Sequence, residues 1–185
     1  MGVKRALLGC LPTSTNRLRR AALRFARETL ASDMHWYLEQ TPGCLNNEQC
    51  AMLYWLAAHP PARGTVVEIG SFMGRSTLWL AAGVQYAGIG RVVSIDPHAG
   101  HERPAIHVEH TDTFSAFLRH VEQAGLSGYV EPIREASARV AARWVDPVDL
   151  LWIDGSHAYE DVLADLEGFA PQVVPGGYVV LHDTR

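Results

Sequence analysis

Thr65-Val66-Val67-Glu68-Ile69-Gly70-Ser71-Phe72-Met73-Gly74-Arg75-Ser76-Thr77 decides the fold. Thr65 to Ile69 is a short apolar, β-branched run, the composition of a strand buried on both faces of a parallel sheet. Gly70 to Gly74 reads as a turn, and Ser76 to Ala82 as a helix. The same grammar repeats downstream. Strands are expected at Arg91 to Asp96, Tyr129 to Ile133, Asp149 to Asp154 and Tyr178 to Leu181. Helices are expected at Thr113 to Ala124, Ala136 to Trp144 and Tyr159 to Phe169. Pro175-Gly176-Gly177 reads as a turn into the last strand. Alternating strands and helices imply right-handed βαβ units. The expected fold class is α/β: a doubly wound, mostly parallel, Rossmann-like sheet with helices on both faces.

Upstream the pattern differs. Asn16 to Gln40 reads as one amphipathic helix, Thr41-Pro42-Gly43 as a break, and Asn47 to His59 as a second helix ended by Pro60-Pro61. Residues 1–60 are expected to be a helical cap or packing segment, and residues 61–185 the ligand-binding α/β domain. The chain has 185 residues, of which 48% are hydrophobic and 19% charged, so disorder is excluded as its main state. There is no apolar run of about 18 residues. Three scattered cysteines, Cys10, Cys44 and Cys50, form neither a disulfide framework nor a zinc pair. Lys4-Arg5 precedes an apolar stretch too short for a secretion signal. A reducing, cytoplasmic setting is the expectation. The net charge of −4 hides an imbalance: residues 1–30 carry seven Lys/Arg and one acid, the remainder nine bases and nineteen acids. The acidic body argues against a nucleic-acid-binding domain. The basic arm is read as a solvated face, with no membrane contact.

Ligands of open α/β sheets bind outside the carboxyl ends of the strands, where strand order reverses. Three expected strands end at that edge in acids: Asp96, Asp154 and Asp183. Glu68 stands near the end of the first strand. Burying an unpaired charge is costly, so such repetition is informative. Gly70 and Gly74 let the turn tighten and a ligand approach the backbone beside Ser71. Ser76 opens a helix whose free N–H groups favour a negative ligand group. A nicotinamide cofactor would prefer GxGxxG, and the third glycine is absent. Asp96, at the end of the second strand, stands where an acid accepts hydrogen bonds from ribose hydroxyls. The ligand then reads as a nucleoside joined to an amino acid, and S-adenosylmethionine fits that description.

Val67 to Thr77, with Ser94-Ile95-Asp96-Pro97-His98, resembles the class I S-adenosylmethionine-dependent methyltransferases. Asp149-Leu150-Leu151-Trp152-Ile153-Asp154-Gly155-Ser156-His157-Ala158-Tyr159-Glu160, followed by Pro175-Gly176-Gly177-Tyr178-Val179-Val180-Leu181-His182-Asp183, is similar to the pattern of the methyltransferase family 24 group. That group is related to macrolide-sugar and catechol-type O-methyltransferases. The resemblance covers about residues 62–185. It implies a methyltransferase acting on a small hydroxylated molecule such as a sugar or natural product. It implies that Glu68 and Gly70 hold the donor's amino end and Ser76 its carboxylate. Asp96 would hold the ribose, Ser137 would contact the adenine, and Asp154 would face the sulfonium and the acceptor. His98 would border the adenine or ribose.

A hydroxyl acceptor must lose its proton, to a base or with the help of a divalent metal. Asp154 and His157 are the candidate catalytic residues. Asp154 and Asp183 are the candidate ligands of magnesium or another divalent cation. The metal-dependent relatives place Asn or Asp directly after the aspartate matching Asp183, whereas this chain has Thr184. His98, His101, His107 and His110 have zinc-like spacing, but Pro104 interrupts them and no cysteine lies near, so a polar loop is expected. Class I methyltransferases continue past the fifth strand, whereas this chain stops at Arg185. The fifth strand is therefore expected to be an exposed edge inviting self-association. Two alternatives stay open: a non-catalytic donor-binding domain, and a nucleotide- or NAD-binding enzyme of the same layered fold.

Overall fold

The structure, a computed structural model, describes residues 6–7, 14–99 and 112–182. Its centre is three parallel strands: β2 (Thr65–Ile69), β3 (Arg91–Ile95) and β5 (Val148–Ile153). Every residue of these strands except Arg91 is buried, as their valine, isoleucine and leucine content requires. β4 (Val130–Ile133) lies beside β3, and β6 (Val173–Leu181) beside β5. A two-residue strand, β1 (Ala6–Leu7), completes the parallel order β1-β6-β5-β2-β3-β4. The chain runs outward through β2, β3 and β4, then returns to the far side of β2. The reversal therefore falls between β2 and β5.

Helices cover both faces. α1 (Ser14–Thr29), α2 (Ser32–Gln40), α3 (Asn47–Ala58), α4 (Arg75–Ala87) and α5 (Thr113–Gln123) gather around Val66, Val92, Leu150 and Trp152. α6 (Ser137–Ala141) and α7 (Tyr159–Phe169) cover Val67, Val93, Ile95, Leu151 and Ile153. Successive strand residues point to opposite faces, so even and odd positions of β2 divide between the two cores.

Three expectations need correction. The helix read over 16–40 is broken, because Ala31 adopts an extended conformation with ψ 143°. Ser32 then begins a new helix with Asp33 in its first turn, where an acid suits the helix dipole. The Pro175-Gly176-Gly177 turn lies inside β6. Val148 pairs with Val173 and Leu150 with Tyr178, so the proline and glycines form an irregularity within one strand. Finally, the edge of β6 is not bare. Ala6 and Leu7 pair with Val179 and Val180.

Asp149 ties the chain entering β2 to β5. It is buried, and its carboxylate accepts the N–H groups of Ala62 (2.6 Å), Thr65 (3.2 Å) and Arg63 (3.3 Å). Removing one partner strands the others without water. Asp149→Ala is therefore expected to lower the unfolding free energy by about 3 kcal/mol, read as a reduced urea midpoint at unchanged m-value.

Candidate functional site at the sheet edge

The turn after β2 is set by its neighbours. Gly70 has φ +86°, and a Cβ there would lie 2.5 Å from the Asp154 carbonyl oxygen. Only glycine lets the turns after β2 and β5 close on each other at the reversal of strand order. The Asp154 N–H donates to the Ile69 carbonyl at 2.8 Å, fixing the same junction.

Asp96, the first residue past β3, is 4% exposed. Its Oδ2 accepts the N–H groups of Ser71 and Phe72, each at 2.9 Å, and its Oδ1 accepts the His98 N–H at 2.7 Å. Phe72 and His98 both lie in the left-handed region, at φ 49° and 48°. A bulky residue there costs about 1–3 kcal/mol and persists only where its surroundings enforce it. One carboxylate enforces both. A carboxylate offers about four lone-pair directions, so Asp96 keeps room for roughly one further donor.

Glu68 is 0% exposed, and its parity on β2 turns it toward α4. It accepts the hydroxyls of Ser76 (2.5 Å), Thr77 (2.5 Å) and Ser94 (2.9 Å). The Ser76 side chain is thus directed at Glu68. The first turn of α4 still presents the N–H groups of Arg75, Ser76 and Thr77 without intrahelical acceptors. Burial pushes the Glu68 carboxyl up to about 7, against the opposing pull of the three hydroxyls.

Ser71 lies in the turn that Asp96 holds. It is buried, and its hydroxyl has no hydrogen-bond partner in the structure. An orphaned buried hydroxyl beside a strained turn and a helix start is the polar vacancy a ligand group would fill. Gly74 closes the turn, its N–H donating to the Ser71 carbonyl at 2.8 Å, and a Cβ there would meet Phe117 at 3.2 Å. The His98 ring packs against Phe114 and Phe117, with Nδ1 3.0 Å from the Thr113 hydroxyl. These residues fit a donor with an amino-acid end and a sugar.

At the end of β5, Asp154 is partly exposed, and its Oδ1 lies 2.9 Å from Nδ1 of His182, just past β6. The exposed His157 is close by, with ring centres 6.3 Å from His182. The sequence assigned no role to His182, because its pairing is long-range. Ser137 stands at the start of α6, where its hydroxyl bonds to Asp165 and counters the upward push of burial on that carboxyl. Asp183, Thr184, His101, His107 and His110 lie outside the described residues. Among the described residues, no group of three His, Cys, Asp or Glu side chains could hold a metal ion, and no helix is long and apolar enough to cross a membrane.

A glycine turn, a strand-end acid and a helix start at the reversal of strand order form the edge at which open α/β domains bind their ligands. A family model described as a methyltransferase domain matches residues 67–184, and the chain belongs to that family, the methyltransferase family 24 group. An uncharacterized protein, R132, from Acanthamoeba polyphaga mimivirus is 30% identical over 124 residues, covering 64% of this chain and 51% of that protein. The chain thus spans about half the length of that relative. Among solved structures, the O-methyltransferase from Bacillus cereus in complex with SAH has TM-score 0.60 and 22% identity, covering 86% of this chain and 70% of the other. The O-methyltransferase TomG from Streptomyces achromogenes, in complex with SAM, has TM-score 0.61 and 21% identity, covering 90% and 72%. At these identities the two structures share the fold.

Glu68 makes stability depend on pH. Its folded-state value stands above the ordinary 4.5, so its contribution is complete below that value and fades as pH rises to about 7. Between pH 4.5 and 8 the protein is expected to lose roughly 3 kcal/mol through this group. Urea midpoints across that range should show the loss in the natural chain and a flatter profile in Glu68→Gln.

Proposed function

We propose that the chain binds S-adenosylmethionine at this rim and transfers its methyl group to a hydroxyl of a small acceptor, such as a sugar or natural product. The observation that carries the reading is Asp96 holding the 70–74 turn and His98 beside an orphaned Ser71 hydroxyl. The turn, with Gly70, Gly74 and the first-turn N–H groups of α4, receives the donor's amino-acid end. Glu68 acts beneath it, holding Ser76 and Thr77 in place. Asp96 uses its remaining lone pair for a ribose hydroxyl, His98 borders the nucleoside, and Ser137 is the candidate contact for the adenine.

When bound, the donor supplies a sulfonium methyl already activated for in-line displacement. The chain has then to align an acceptor oxygen and take its proton. Asp154 lies at the β2–β5 reversal, and His182 orients its carboxylate. His157, on the following turn, stands ready to receive the acceptor proton, and Asp154 favours the resulting charge. A divalent cation, if one takes part, would be held by Asp154 together with Asp183 and would acidify the acceptor hydroxyl.

Titration calorimetry should give micromolar binding of S-adenosylmethionine and S-adenosylhomocysteine and none of NAD; the reverse selects a nucleotide enzyme of the same fold. Methyl transfer is measured over an acceptor panel with and without EDTA. Donor binding without transfer to any acceptor identifies a non-catalytic domain. Asp154→Asn is expected to lower kcat about 100-fold while leaving the donor Kd within about threefold. Turnover equal to the natural chain removes Asp154 from the chemistry.

A further inference from the structure

Arg75 is the first residue of α4, immediately after the 70–74 turn, and it is 9% exposed. Its guanidinium faces away from the sheet, into the connection between α2 and α3. Nε donates to the Leu45 carbonyl at 2.9 Å. One terminal nitrogen donates to the carbonyls of Glu39 (2.7 Å) and Thr41 (2.6 Å), the other to Oδ1 of Asn47 (2.6 Å). Asn47 in turn donates to the Glu39 carboxylate at 2.9 Å. The residues at both ends of the connection are thus bound by one side chain. The packing is close enough that a Cβ on Gly43 would lie 2.5 Å from Cβ of Arg75. The tip, residues 42–44, is exposed.

Two features separate this from ordinary loop anchoring. First, the four oxygen acceptors are uncharged, so a whole positive charge is buried with no carboxylate among the described residues hydrogen-bonded to it. An apolar residue would fill the space at lower desolvation cost. The charge sits at the positive end of α4, where it strengthens the attraction for an anion. Second, the connection leads into α3 beside the reaction edge. The Cys50 thiol, on the first turn of α3, hydrogen-bonds to Arg75; burial pushes the thiol up, Arg75 opposes that, and Asp154 adds to it. Lysine could supply the charge but not the fork that reaches four acceptors at once.

We propose that Arg75 is a positioning residue for the donor site, clipping the α2–α3 connection against the start of α4 as a wall of the cleft and lending its charge to the donor's carboxylate. The proposal rests on the donor reading above. It is tested in the full chain with Arg75→Met, Arg75→Lys and Gly43→Ala, by hydrogen exchange at the amides of residues 41 and 43–46 and by calorimetry with S-adenosylhomocysteine.

Arg75→Met should speed exchange there at least about tenfold and raise the S-adenosylhomocysteine Kd about tenfold. Arg75→Lys should speed exchange similarly but raise Kd only about threefold, because the charge remains. Gly43→Ala, which pushes the clip apart without removing the charge, should match Arg75→Lys. Exchange and Kd both within about twofold of the natural chain in a folded Arg75→Met overturn the proposal. So does faster exchange with an unchanged Kd, which makes the clip structural only. If Arg75→Met does not fold, Gly43→Ala is judged by the same criteria. A natural chain that binds no donor refutes the donor reading and with it the charge role, while the exchange of the variants still decides the clip.

Discussion

The carboxyl edge of this sheet is organised by Asp96 accepting three backbone N–H groups. Two of the donors, Phe72 and His98, hold backbone conformations that their side chains disfavour. The carboxylate, buried, would lose its hydration without compensation unless those N–H groups faced it. Each side therefore stabilises what the other makes costly. Charge-assisted hydrogen bonds are strong enough to hold such an arrangement, and N–H groups can only donate. An amide in place of the carboxylate would turn its own N–H toward them. The turns after β2 and β3 thus share one geometry.

Glu68 performs a related task with different chemistry. Its donors are hydroxyls, which can rotate and also accept. The site can therefore take a proton without leaving an unsatisfied group, which is why burial can raise this carboxyl to about 7 while the packing persists. The two carboxylates lie on the same face of adjacent strands. One fixes the backbone of the turn, and the other fixes the start of the helix that follows it.

Much of this was legible in the sequence, for physical reasons. Buried parallel strands need continuous β-branched runs, and Thr65–Ile69 has the bounds the residues dictate. Acids at strand ends are poor core residues, so Asp96 and Asp154 announced the edge. Direction was harder to read. The family resemblance implies ligand roles for Glu68 and Ser76; that their side chains also meet each other at 2.5 Å was not to be read from it. Strand parity gives the face of Glu68 but not what descends upon it. His182 and Arg75 escaped because their partners lie 28 and more residues away in the chain. The extended β6 escaped because proline and two glycines resemble a turn whether or not the strand resumes its pairing beyond them.

Among the described residues, seven of the eleven buried polar or charged ones fall in two short segments, Glu68, Ser71, Arg75, Ser76 and Thr77 on one and Ser94 and Asp96 on the other. Apolar residues of similar volume would hold a sheet and helix together at least as well, since buried charges seldom repay their desolvation. The concentration therefore has to be explained by position. These residues surround the carboxyl ends of β2 and β3, next to the reversal of strand order, where a ligand meets backbone and helix N–H groups. Arg75 contributes one positive charge and Glu68 and Asp96 two carboxyl groups, each satisfied by neutral donors or acceptors. None of these three groups is neutralised by another in a direct pair, so each stays committed to the backbone or hydroxyl groups it holds, and the shape of the rim follows from those commitments.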